Sequence, residues 1–156
     1  MANQLPAGDP VPPDGTLPGS ALAELPERSF SVYLHVPFCR SRCGYCDFNT
    51  YTASELRGMS TDDYLTAALQ EIDLAARVLG DGAPEADTVF VGGGTPTMLP
   101  AAELSRLLDA VRERFGLARD AEITTEANPE TMTPEYLRRL REAGFTRISQ
   151  IGRAHV

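Results

Sequence analysis

Cys39, Cys43 and Cys46 are the only cysteines of this 156-residue chain, and all three lie in the stretch YLHVPFCRSRCGYCDFNTY. Three is an odd number, so pairing them as disulfides would leave one sulfur over. Thiols packed this tightly suit metal chemistry. A C-x3-C-x2-C spacing can wrap three thiolates around three corners of a cubane [4Fe–4S] cluster, leaving the fourth iron without a protein ligand. The same residues could hold a structural zinc, with His35 or Asp47 as a fourth ligand. Zinc sites prefer closed four-coordinate sets, usually built from two separated pairs, which favours the cluster. His35 could instead simply pack against a neighbouring strand.

Two further features carry polar chemistry. GGGTPT begins at Gly92 and places the bare backbone of Gly92, Gly93 and Gly94 before Thr95. It has neither the lysine of a P-loop nor the spacing of a dinucleotide-binding loop. Glycine backbone suits the close approach of a small zwitterion. Glu126 is followed by ANPE.

The elements that must position these residues are legible in the periodicity. SVYLHV, from Ser31, reads as a strand with Val32, Leu34 and Val36 on one face and Tyr33 and His35 on the other. Pro37 ends it. STDDYLTAALQEIDLAARVLG predicts a helix capped by Ser60 or Thr61, with Leu65, Leu69, Ile72, Ala76 and Leu79 as its stripe and Gly80 as its stop. DTVFV, Asp87 to Val91, is a continuous apolar run and predicts a strand buried on both faces. AAELSRLLDAVRERFG is a second helix, EITTE a third strand and TRIS the opening of a fourth. Between the last two, TPEYLRRLREAG predicts a helix with Thr133 as N-cap, Pro134 at its first position and Gly144 past its end. Strict alternation of strand and helix means a parallel sheet, either doubly wound or curved into a barrel. In both, chemistry gathers on the loops after the strands' carboxyl ends, where the cysteines, GGGTPT and Glu126 all fall.

Composition bounds the rest. With 42% hydrophobic and 23% charged residues the body reads as a globular α/β domain or part of one. A formal charge of −8 argues against nucleic-acid binding. All 14 basic residues are arginine. Neither a signal peptide nor a membrane span is legible, so a cytoplasmic location is expected, where thiols stay reduced. Residues 1–29 are rich in Pro, Gly and Asp without hydrophobic periodicity and are expected to be disordered, ahead of a core over 30–150.

The stretches SVYLHVPFCRSRCGYCDFNTYT, VFVGGGTPTML and TTEANPETMTPEYLRRLREAGFTRIS resemble the radical S-adenosylmethionine (SAM) superfamily, over nearly the whole body from Ser31 to Gln150. The resemblance implies an α/β fold that is the N-terminal part of a partial (β/α)6 barrel, here about three β/α units long. It implies a [4Fe–4S] cluster on Cys39, Cys43 and Cys46 whose open iron is chelated by SAM, and reductive cleavage of SAM to a 5′-deoxyadenosyl radical. It also implies that Gly92, Gly93, Gly94 and Thr95 hold the methionine end of SAM and that Glu126 contacts SAM. Tyr33 matches a tyrosine near the sulfonium, and Tyr45 an aromatic beside the adenine.

Within the superfamily the chain resembles the oxygen-independent coproporphyrinogen III oxidase group. The decarboxylating oxidases carry a further cysteine two residues past the third; here that position is Phe48, in CDFNTY. The CDFN form resembles the oxidase-like heme chaperones of the HemW family, which pass heme to acceptor proteins. Two readings therefore stand: a heme chaperone, with heme and a heme acceptor as partners, or a radical decarboxylase acting on a porphyrin. Either implies an electron donor. Family members continue past RIS into a turn whose glutamine contacts SAM, and that position is Arg153 here. The ending IGRAHV is what a common sequencing adapter encodes when translated, so residues 151–156 are read as a non-native tail, and Arg153 and His155 carry no functional weight.

Overall fold

The computed structural model describes residues 12–44, 46–52, 55, 58 and 60–150. The tail over 151–156 and Tyr45 lie outside the described residues. Four parallel strands, β1 (Ser31–Val36), β2 (Ala86–Gly93), β3 (Leu117–Glu126) and β4 (Arg147–Ser149), form one sheet in the order β1-β2-β3-β4. The crossovers carry α2 (Thr61–Leu79), α3 (Ala101–Phe115) and α4 (Pro134–Ala143). A short α1 (Gly19–Glu24) with no buried residue precedes β1, in a leader where the sequence reading expects no regular structure.

The strand order decides between the two architectures. A doubly wound sheet reverses direction after its first strands and so covers both faces. Here each strand adds beside the last, and right-handed crossovers then put every helix on one face, as in a barrel. The register bears this out. Leu34, Val91, Thr125 and Ile148 form one cross-strand row, and Val32, Val89 and Ile123 the next. These rows pack against Leu65 and Ile72 of α2, Leu104, Leu107, Leu108 and Val111 of α3 and Leu140 of α4. The opposite face carries the row Tyr33, Phe90, Thr124 and Arg147. Phe90 is only half-buried there, whereas Val89 and Val91 are fully buried, so β2 is not sealed on both faces as its apolar run suggests.

Local signals set the helix ends. Ser60 caps α2: its hydroxyl accepts from the Asp63 N–H at 3.1 Å, and the Asp63 carboxylate accepts from the Ser60 N–H at 3.0 Å. The Thr133 hydroxyl accepts from the Tyr136 N–H at 3.1 Å, and α4 ends at a left-handed Gly144. Two strands run longer than their periodicity indicates. β3 begins at Leu117, five residues before EITTE, because Leu117 pairs with Ala86 across a register shift. β2 continues through Gly92 and Gly93, which pair with His35 and Val36, so the glycine motif starts inside the sheet. Among the described residues no helix is long and apolar enough to cross a membrane.

Candidate functional site

The loop after β1 leaves the sheet at Pro37 and doubles back onto its own root at Tyr51. Phe38 and Tyr51 form a parallel bridge, with the Tyr51 N–H donating to Pro37 O at 2.7 Å and the Cys39 N–H to Tyr51 O at 2.9 Å. This clasp closes the loop at its root, and the buried Phe38 ring anchors it against Tyr64 of α2. Cys39, Cys43 and Cys46 are free, half-buried thiols on the closed loop.

The glycine loop lies directly against that root. Gly94 donates to Val36 O at 2.8 Å, and the buried Thr95 donates to Phe38 O at 2.7 Å. Gly93 has φ +115°, and a Cβ there would stand 2.7 Å from His35 Cε1 and 2.9 Å from Val36 O. Only glycine meets both demands without displacing its neighbours. On the next strand, Glu126 accepts the Gly93 N–H at 3.0 Å, which fixes the carboxylate on the rim. The loop after β3 is tied in turn to its neighbours. Ala127 donates to Ser149 O at 2.9 Å, and Asn128 N–H to the Thr97 hydroxyl at 3.3 Å. An exposed pair, Arg40 with Glu130 at 3.7 Å, spans from the cysteine loop to the turn after β3.

All three cysteines line one cavity together with Gly93, Gly94, Thr95 and Glu126. Residues separated by up to 87 positions thus meet on the carboxyl rim of the sheet. Gly92 and Tyr33 do not line it. Gly92 is buried inside β2. Tyr33 stands on the open sheet face, 54% exposed, stacked on Phe90. Partial burial, and then the Glu126 carboxylate, holds its phenol above the usual tyrosine range. Tyr45 falls outside the described residues.

His35 is fully committed. Its Nε2 lies 2.8 Å from Asn49 O, a carbonyl that can only accept, so Nε2 carries a hydrogen. Its Nδ1 lies 2.9 Å from the Tyr33 hydroxyl. With both ring nitrogens engaged, His35 ties β1 to the cysteine loop and is not turned toward the sulfurs as a ligand. Among the described residues no three His, Cys, Asp or Glu side chains are gathered closely enough for a single metal ion. The three cysteines line one cavity, and three thiols at one site are the donor set that three corners of a cubane require.

Several lining residues carry no signal of their own in the sequence. Ser41, Ala127, Asn128 and Ser149 join the wall; so does Phe48, which CDFNTY does mark and which is 66% exposed. ANPE beside Glu126 hints at Asn128; nothing local marks Ser149, which reaches the rim only because β4 pairs Ser149 with Glu126.

A sequence profile described as the Radical SAM superfamily matches residues 33–150. The chain is 56% identical over 133 residues to the heme chaperone HemW of Mycobacterium tuberculosis, covering 85% of this chain and 33% of that protein. It is 39% identical over 129 residues to the oxygen-independent coproporphyrinogen III oxidase of Salmonella typhimurium, covering 83% of this chain and 27% of that one. The solved structure titled "Coproporphyrinogen III oxidase (HemN) from Escherichia coli is a Radical SAM enzyme" superposes with a TM-score of 0.73 at 38% identity, over 84% of this chain and 29% of that one. The chain thus spans about a third of the length of the curated relatives it matches.

Proposed function

The chain belongs to the radical SAM superfamily, and from that premise we propose that it holds a [4Fe–4S] cluster and SAM and serves as a heme chaperone. Cys39, Cys43 and Cys46 hold the cluster by three corners. Bound together, the cluster and SAM supply one-electron radical chemistry. The observation that supports this reading is the shared cavity, in which three thiols face glycine backbone and an anchored carboxylate.

Each group in the cavity has a task its chemistry fits. The thiolates bind iron. Gly93 and Gly94 offer bare backbone to the methionine end of SAM, and their own packing also demands glycine, because a side chain at either would meet His35 or Cys39. Glu126 spends one oxygen on the Gly93 N–H and so presents a carboxylate of fixed orientation to SAM. Thr95 borders the glycines at the SAM end, and its backbone N–H, donating to Phe38 O, holds the glycine loop in place. Tyr33 and Tyr45 are assigned to SAM by resemblance alone.

The heme assignment rests on Phe48 and on the 56% identity to a heme chaperone. Phe48 has no thiol or ionisable group to offer where the oxidases bring a fourth cysteine. The second reading, a coproporphyrinogen III oxidase, is favoured by the likeness to the oxidases in sequence and structure. On this reading the protein works in the cytoplasm, where clustered thiols stay reduced, with an electron donor and a heme acceptor as partners. The test uses the full-length protein after anaerobic reconstitution. A [4Fe–4S] spectrum, stoichiometric heme binding and no turnover of coproporphyrinogen III are expected. Robust decarboxylation with SAM and a reductant would establish the oxidase reading instead, and zinc without iron would exclude both.

A further inference from the structure

We propose that Thr50 is a positioning residue for the cluster, donating a hydrogen bond from its hydroxyl to the Cys46 sulfur and so raising the potential at which the cluster accepts an electron. The proposal rests on the assignment of the cluster to the three cysteines.

The Thr50 Oγ1 lies 3.6 Å from Cys46 Sγ, and Thr50 is 2% exposed. A buried hydroxyl needs a partner, and among the described residues no other is within reach of this one. The direction of the bond follows from the sulfur's state. A thiolate bound to iron has no hydrogen to give, so the hydroxyl must be the donor.

Three tethers hold the hydroxyl in place, one on each of three successive residues. Asn49 O accepts from His35 Nε2 at 2.8 Å. Thr50 O accepts from Arg42 Nη2 at 2.7 Å, and Arg42 is itself paired with Glu55 at 3.3 Å. Tyr51 is clasped to Pro37 O and the Cys39 N–H. The backbone around Thr50 is therefore fixed to β1 on one side and to the cysteine loop on the other. Rotation about χ1 is the freedom left to the hydroxyl, and the sulfur is the acceptor it finds.

The electrostatic consequence has a definite sign. An electron entering the cluster adds negative charge that spreads onto the ligating sulfurs. A donor aimed at one of those sulfurs stabilises the reduced form more than the oxidised form, and hydrogen bonds to the sulfurs are among the factors that set such potentials. Burial sharpens the effect, because water cannot replace the bond when it is lost.

The test compares T50V, which keeps the shape and removes the hydroxyl, with T50S, which keeps the hydroxyl. Both are made in the full-length protein, reconstituted anaerobically and reduced with dithionite in a mediated potentiometric series followed by EPR. T50V is expected to retain its iron and to be harder to reduce, the reduction equilibrium falling about threefold to tenfold. The upper figure equals about 59 mV for one electron. T50S should match the parent. An unchanged potential in T50V with full iron content overturns the proposal. If T50V takes up no iron, T50A replaces it: a lowered potential in T50A with a parental one in T50S upholds the proposal, while equal potentials in the two overturn it. Failure of the cluster assignment itself would look different, as a parent protein without iron or EPR signal.

Discussion

Gly94 and Cys39 lie so close that no side chain fits between them. A Cβ at Gly94 would stand 2.9 Å from Cys39 Sγ and 2.5 Å from Phe38 O. The cysteine loop and the glycine loop are thus one packed unit, joined by the bonds from Gly94 and Thr95 to the β1 end. G94A is expected to push Cys39 out of place and to lower iron bound per chain by more than half. Gly44, in the same loop and with nothing among the described residues within 4 Å of its would-be Cβ, supplies the control. G44A should bind iron as the parent does. Equal iron in G94A and parent would show that the two loops separate freely.

Each of C39A, C43A and C46A should abolish the brown chromophore and EPR signal of the reconstituted protein. A cluster held at three corners loses its closed arrangement when any one is removed. The check is iron and sulfide analysis with the visible spectrum. A stable, stoichiometric cluster in the triple variant would falsify the ligand assignment.

Gly93 and Gly80 make a matched pair. Both have positive φ, +115° and +64°, so a valine at either carries a backbone cost of roughly 1–3 kcal/mol. At Gly80 nothing lies within 4 Å, whereas at Gly93 the new Cβ meets His35 and Val36 O. G80V should lose only that backbone contribution in urea unfolding and keep its SAM affinity. G93V should lose SAM binding, measured calorimetrically on protein of matched iron content. Parental SAM affinity in G93V would remove this glycine from the SAM site.

Stability should fall on the alkaline side. Burial pushes the Tyr64 hydroxyl, which donates to His35 O at 2.8 Å, up to about 12, with Glu71 and Tyr33 adding to it. Burial likewise pushes Tyr136, which donates to Leu99 O at 2.7 Å, up to about 12. An unfolded tyrosine ionises near 10. Between about pH 10 and 12 the folded chain therefore holds protons that the unfolded chain has released, and stability drops as pH rises. The urea midpoint should decline across that window. The double variant Y64F/Y136F should start about 1 kcal/mol per lost hydrogen bond lower at pH 8 and decline less steeply. An equal alkaline decline in variant and parent would assign the effect to other groups.

The sequence alone determined what depends on neighbours in the chain. The cysteine spacing, the Ser60–Asp63 box and the Thr133, Pro134 and Gly144 signals of α4 act over three or four residues, so no tertiary context is needed to read them. Strand and helix alternation is equally local, and with it the placing of the cysteines, glycines and Glu126 at strand ends. Tertiary structure decided what depends on register and packing. A doubly wound sheet and a barrel share one local pattern; only the order β1-β2-β3-β4 separates them. The bond from Gly93 to Glu126 links residues 33 apart, and it exists because β3 pairs with β2 in one register. His35 reads as a zinc ligand or a packed side chain until the fold brings Asn49 O against one nitrogen and Tyr33 against the other. Nothing in the sequence singles out Thr50, which the fold buries beside Cys46 next to the clasp at Tyr51. Short-range chemistry is written along the chain, whereas the partners of these polar groups are fixed only when burial removes water as an alternative.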